Sequence, residues 1–222
     1  MKESNFLQQK AYNYLIEHIK NGKLQADKIY SLNQMSQEIG ISKTPLRDAV
    51  LRLEQERYID ILPSKGFQLH KMTKKDITET YQLREAIEFF CCKQLALNLN
   101  SERGRLYYDK LAGKIISQKE IIENNTSAES FARKDYEFHR SMVQYVGNET
   151  MLEIYRQFMY RIFWLNVTSF SVEGRMLDTV TEHEKILKYI KEKDFIGLEE
   201  LLTHHLGTAE NINLDIIIDD KY

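Results

Sequence analysis

The chain has 222 residues, 42% hydrophobic and 29% charged, with 31 Lys and Arg against 33 Asp and Glu for a formal charge of −2. Such a balance excludes a disordered or collagen-like chain and a uniformly basic nucleic-acid binder, although it permits a local basic surface. The two cysteines, Cys91 and Cys92, are adjacent, which excludes a disulfide scaffold and a thiolate zinc site.

From Phe6 to Ile19, the positions Leu7, Ala11, Tyr14, Leu15 and Ile19 recur at helical spacing, and Asn21-Gly22 ends the run. Ser31, with Gln34 three residues on, reads as a capping box opening a second helix whose stripe is Leu32, Met35 and Ile39. Gly40 closes it. Ser42 can cap a third helix, with Pro45 in its first turn and Leu46, Ala49, Val50 and Leu53 on its buried face. Tyr58 to Leu62 and Phe67 to Lys71 read as two short strands joined through Pro63-Ser64-Lys65-Gly66. Three short helices, a tight Gly40-Ile41-Ser42 turn and a hairpin make a winged helix-turn-helix.

After Met72 every segment reads as helix. Thr73 and Asp76 cap a run to about Leu99, with Ile77, Tyr81, Ile87, Phe90 and Leu95 on or near one face. Further helices are predicted from Ser101 to Glu123, Ala128 to Tyr145, Glu149 to Phe170, Arg175 to Lys191 and Phe195 to Leu214. The expected fold is therefore mainly α, with a winged helix-turn-helix at 1–72 and an all-helical domain at 73–222. The N-terminus lacks the apolar core of a signal peptide. The most apolar later stretch, Met159 to Phe170, is too short to span a bilayer and contains Arg161. A cytoplasmic protein with no membrane partner is the expectation.

Charge divides unevenly between these parts: residues 1–70 carry a net +2 and the remainder −4. Lys43, Arg47 and Arg52 lie on the third helix and Lys65 at the hairpin tip. In a helix-turn-helix the start of that helix enters the major groove, where arginine can bond guanine bidentately and Ser42 and Thr44 can reach phosphates. Gly66 would let the wing approach the DNA backbone closely. Double-stranded operator DNA is the expected partner; the alternative is a solvated charged helix in a winged domain that binds protein.

In the helical part, Asp135 and His139 are four residues apart and share a helix face beside Phe131, Phe138 and Met142. His183 and His205 lie on two later helices. One carboxylate and three imidazoles suit a divalent transition metal, zinc or nickel foremost. By spacing alone ordinary hydrogen-bonded histidines are the commoner outcome. Arg84 stands four residues before Glu88, a salt-bridge spacing.

The run from Gly40 to Leu53, Gly-Ile-Ser-Lys-Thr-Pro-Leu-Arg-Asp-Ala-Val-Leu-Arg-Leu, resembles the recognition helix of GntR-type bacterial regulators, and Tyr58-Ile59 and Pro63 to Phe67 resemble that family's strand and wing. Tyr81 to Glu88 resembles the start of the FCD effector domain of the FadR subfamily. Lys43 stands where that family usually has arginine, which replaces a bidentate donor with a point charge. The resemblance implies a homodimeric regulator, the bundle holding the dimer together. It implies metal ligation by Asp135, His139, His183 and His205, and a small carboxylate effector held by Arg84. Tyr81, Phe138, Tyr160 and Phe163 line the effector pocket or pack the core.

The reading that joins these features is a ligand-responsive transcriptional regulator, a repressor, sensing a small carboxylate at a metal site. The alternative is a metal-dependent enzyme acting on a small acid, with Glu137 and Glu182 as candidate bases. Against it, the chain has no HExxH, Gly-rich phosphate loop or nucleophile elbow.

Overall fold

The structure, a computed structural model, describes residues 2–20, 22–25 and 27–219, with side chains except at 2–4, 20, 159–162, 164, 218 and 219. Asn21 of the predicted stop signal and the Tyr160 side chain lie outside the described residues. The chain divides into two compact units, Met1–Lys71 and Met72–Tyr222.

The first unit contains α1 (Lys2–Lys20), α2 (Leu32–Ile39), α3 (Lys43–Gln55), β1 (Ile59–Leu62) and β2 (Gly66–Leu69). Ala11, Leu15 and Ile19 of α1 are buried, as are Leu46, Ala49, Val50 and Leu53 of α3. The strands pair antiparallel, Ile59 opposite Leu69 and Leu62 opposite Gly66. Gly40 ends α2 at φ +71, a conformation glycine adopts without steric cost. The predicted capping box at α2 does not form as written: Ser31 Oγ accepts from Asn33 N–H, one residue before Gln34. Ser42 occupies the N-cap position of α3 with extended backbone, but its hydroxyl makes no cap bond.

The second unit comprises α4 (Lys74–Leu97), α5 (Glu102–Glu123), α6 (Ala128–Val146), α7 (Glu149–Gln157), α8 (Met159–Phe170), α9 (Arg175–Glu192) and α10 (Phe195–Asp219). Thr73 and Asp76 form the reciprocal cap expected of them. Helix α6 is the central element, packed against α4, α5, α7 and α8, and it buries Phe131, Phe138, Met142 and Val143. Two expectations fail. Phe90 is 42% exposed, off the buried face of α4. The single helix expected from Glu149 to Phe170 is two, broken at Phe158, where ψ is −1. No glycine or proline marks that break; it redirects the chain so that α8 lies against both α6 and α10, which brings Asn166 to the centre of the unit. Among the described residues no helix is long and apolar enough to cross a membrane.

Candidate metal centre and nucleic-acid face

Four side chains predicted as ligands meet inside the second unit. Asp135 and His139 come from one face of α6, His183 from α9 and His205 from α10, and all four are at least 96% buried. One potential ligand atom from each lies within 4.8 Å of the others. His139 Nε2 is 3.2 Å from both His183 Nε2 and His205 Nε2. Asp135 Oδ1 stands 3.6 Å from His139 Nε2 and 3.5 Å from His183 Nε2.

The opposite nitrogen of each ring is already engaged. His183 Nδ1 lies 2.9 Å from Gln118 Oε1, and His205 Nδ1 lies 2.5 Å from Glu182 Oε2. His139 Nδ1 sits 2.7 Å from Glu88 Oε2, an ion-pair contact angled off the ideal hydrogen-bond line. Each partner is an acceptor, so each Nδ1 carries a proton, and in the neutral ring each Nε2 presents a lone pair. Three lone pairs and a carboxylate oxygen facing one another in a dry interior repel unless a cation sits among them. Partners that fix the tautomer in this way are the usual support of histidine metal ligands.

Sequence reasoning missed Glu88 and Gln118 in this role. Glu182, considered there as a base, instead holds His205 and accepts from Arg175 Nη1 at 2.9 Å. Arg175 in turn donates to the His205 carbonyl. Glu137, the other candidate base, pairs with Lys114 and Lys134 with its side chain 37% exposed. His204 points outward, 68% exposed.

The charges follow from this arrangement. Burial opposes ionisation of Glu88, but Arg84 and His139 overcome it and hold the carboxyl well below the usual range. Burial likewise disfavours a charged His139, yet Glu88 and Asp135 push its pKa up to about 9. Burial keeps His183 neutral, well below its ordinary value, and lowers His205 despite its bond to Glu182. Without a metal His139 is thus the ring that takes a second proton, at Nε2 between the other two rings, and a bound cation would take that proton's place.

Arg84, expected at an effector pocket or in a salt bridge, makes the bridge. Its Nε donates to Glu88 Oε1 at 2.9 Å and its Nη1 to Asn166 Oδ1 at 3.3 Å. Its Nη2 is buried without a hydrogen-bond partner. Tyr155 OH also donates to Glu88 Oε1. Phe138 stacks on His183 with ring centroids 4.0 Å apart, and the buried Tyr81 ring lies 5.6 Å from the Arg84 guanidinium.

In the first unit, Ser42, Lys43, Thr44 and Arg47 are exposed at the start of α3. Arg47 and Lys65 line one groove of about 350 Å³ with Ser31, Asn33 and the hairpin turn. Gly66 has φ +132, and a Cβ there would come within 2.1 Å of the Tyr30 carbonyl oxygen. Tyr30 bridges to Phe67. Packing inside the unit therefore already requires glycine at this position.

The sequence of residues 79–208 matches the FCD domain, and residues 7–69 match the bacterial regulatory proteins of the gntR family. The chain belongs to the GntR family, with an FCD domain. This GntR-family protein is 27% identical over 185 residues to the gluconate operon transcriptional repressor of Bacillus licheniformis, covering 78% of this chain and 71% of that one. Its fold is similar to that of a GntR regulator from Rhodococcus sp. RHA1, with a TM-score of 0.71 at 17% identity over 94% of this chain and 97% of the other. It is also similar to the Zn2+-bound FCD domain of the regulator TM0439, with a TM-score of 0.50 at 23% identity over 67% of this chain and 99% of that domain. The GntR family is one of DNA-binding transcriptional regulators, which decides against the enzyme alternative.

One basic residue stands apart from the others of the GntR recognition helix. Arg52 donates to Glu56 at 2.9 Å and to Gln9 at 3.3 Å, and its guanidinium lies 3.9 Å from the Tyr12 ring centre. It ties α3 to α1, on the side away from Lys43.

Proposed function

We propose that this protein is a homodimeric repressor that acts in the cytoplasm, whose operator affinity responds to a small carboxylate bound at a metal ion in the FCD bundle. Asp135, His139, His183 and His205 are the ligands, and a nitrogen-rich donor set with one carboxylate suits zinc or nickel. The observation that carries this reading is the convergence of three Nε2 lone pairs and one unpartnered carboxylate oxygen, every other nitrogen being committed. The zinc-bound relative and the repressor among the relatives support it. A bound ion would supply positive charge to attract and orient an anion. Asp135, Glu88 and Glu182 set three negative charges against two from Arg84 and Arg175, so a divalent ion leaves a net positive site that fits a carboxylate. Arg84 Nη2 is the donor free to clamp it.

Operator contacts are assigned to Ser42, Lys43, Thr44, Arg47 and Lys65, with Gly66 shaping the wing; Arg52 is left out because α1 occupies it. Two such units in a dimer would read half-sites about one helical turn apart. The effector acts only through unequal affinities for the DNA-competent and incompetent arrangements.

The test joins metal analysis of freshly purified protein, operator selection from random DNA, and operator titrations with and without small carboxylic acids. The expected result is a stoichiometric transition metal and at least one acid that changes operator affinity severalfold. Acids that bind the bundle yet leave operator affinity unchanged would refute the sensing role. Protein without metal that cannot be reconstituted would refute the metal centre.

A further inference from the structure

Asp135 offers two oxygens, and its surroundings treat them differently. Oδ1 faces the imidazoles and has no hydrogen-bond partner. Oδ2 accepts a hydrogen bond from Asn166 Nδ2 at 2.5 Å. Asn166, on α8 and only 2% exposed, uses its other amide atom, Oδ1, to accept from Arg84 Nη1. The amide has one workable orientation, because a guanidinium only donates and an ionised carboxylate only accepts. Asn166 is therefore a two-ended clip between Arg84 and Asp135.

A carboxylate can hold a metal ion through one oxygen or both, and the second oxygen would occupy space that an exogenous ligand needs. Resting on the metal reading above, we infer that Asn166 is a positioning residue that restricts Asp135 to ligation through Oδ1, and so keeps a coordination position open for an exogenous anion. The clip also joins that position to Arg84. The same guanidinium holds Glu88, whose other oxygen faces His139 Nδ1. One arginine thereby reaches two of the four ligands by separate routes, Asn166 to Asp135 and Glu88 to His139. An anion engaging Arg84 acts on both.

The test uses the full chain loaded with Co(II), whose visible spectrum reports coordination, and azide as a small anionic probe. Wild-type protein should change its spectrum saturably with azide. Asn166→Leu keeps the side-chain shape and removes both polar ends. It should bind cobalt in the same stoichiometry, show an altered spectrum before azide is added, and bind azide at least tenfold more weakly. Asn166→Asp keeps an acceptor for Arg84 but loses the N–H, so it should behave likewise; it carries the test if the leucine variant does not fold. A folded variant with the wild-type spectrum and azide affinity within twofold overturns the inference. So does loss of cobalt from both folded variants, since a clip that orients one oxygen is not required for ligation. Wild-type protein that takes up no cobalt refutes the metal reading itself, whereas cobalt uptake without an azide response refutes only the open position.

Discussion

The two units use charge in opposite ways. Lys43, Arg47 and Lys65 of the winged unit are exposed, so water solvates them and the fold makes little demand on them. Arg84, Glu88, Asp135 and His139 of the bundle are almost wholly buried, and each stays charged or polar only because the next one faces it. Exposed charges can be exchanged one at a time with modest effects on stability. A buried network responds as a unit, because removing one member leaves its neighbours desolvated and uncompensated. The contrast predicts that substitutions of the exposed charges of the first unit separate DNA affinity from stability, while substitutions of the buried ligands of the second do not separate metal affinity from stability.

The largest effect is expected at the centre of the bundle. His139→Ala leaves Glu88 Oε2 and Asp135 Oδ1 facing a void. It should lower stability by about 3–5 kcal/mol, the usual cost of breaking a buried pair, and abolish stoichiometric metal retention. Chemical denaturation with metal analysis checks both; a stable variant that keeps its metal would break the comparison.

Next comes Gly66→Ala in the winged unit, where the fold itself demands glycine. A backbone at φ +132 costs a non-glycine residue about 1–3 kcal/mol, and the collision with the Tyr30 carbonyl adds to it. Thermal melting should show a destabilised first unit, with operator affinity falling because fewer molecules have a formed wing.

Arg47→Ala should weaken selected-operator binding by about 1–3 kcal/mol while shifting stability by less than about 0.5 kcal/mol. Arg52→Ala should do the reverse, moving stability by up to about 1 kcal/mol with little change in base preference, because it is held by α1. Parallel denaturation curves and operator titrations distinguish them. Equal effects of the two variants on base preference would show that the recognition surface extends to the α1 side.

The smallest effect concerns the cysteines. Burial, with the nearby Glu88 charge, pushes the Cys91 thiol up to about 12 and Cys92 well above its ordinary value. Only the thiolate reacts, so a colorimetric thiol reagent at pH 8 should label neither residue in the folded protein and both after denaturation. Rapid labelling of the native protein would mean that the α4–α6 packing opens readily.

Much of this was legible in the sequence, for reasons particular to each element. The winged unit could be read because glycines follow its first two helices and its strands flank a polar turn. Asp135 and His139 could be paired because four residues on a helix mean one face. Glu88 and Gln118 could not be found as supports: Gln118 is 65 positions from the His183 it holds. Asn166 sits 31 positions from Asp135, beyond a helix break that no glycine or proline announces. The constraint that Tyr30 places on Gly66 could not be read either, because it joins a loop residue to a hairpin 36 positions away.

The sequence by itself determined the order of elements, the joining of a DNA-reading unit to a helical bundle, and the residue types able to hold a metal. These depend on periodicity and local backbone preference, which act over a few residues. Only the tertiary structure decided which nitrogen of each histidine faces inward, which oxygen of Asp135 is left free, and that Arg84 touches the supports of two ligands at once. Those facts arise where helices distant in sequence pack together and water is excluded, so that the few donors and acceptors within reach decide each pairing.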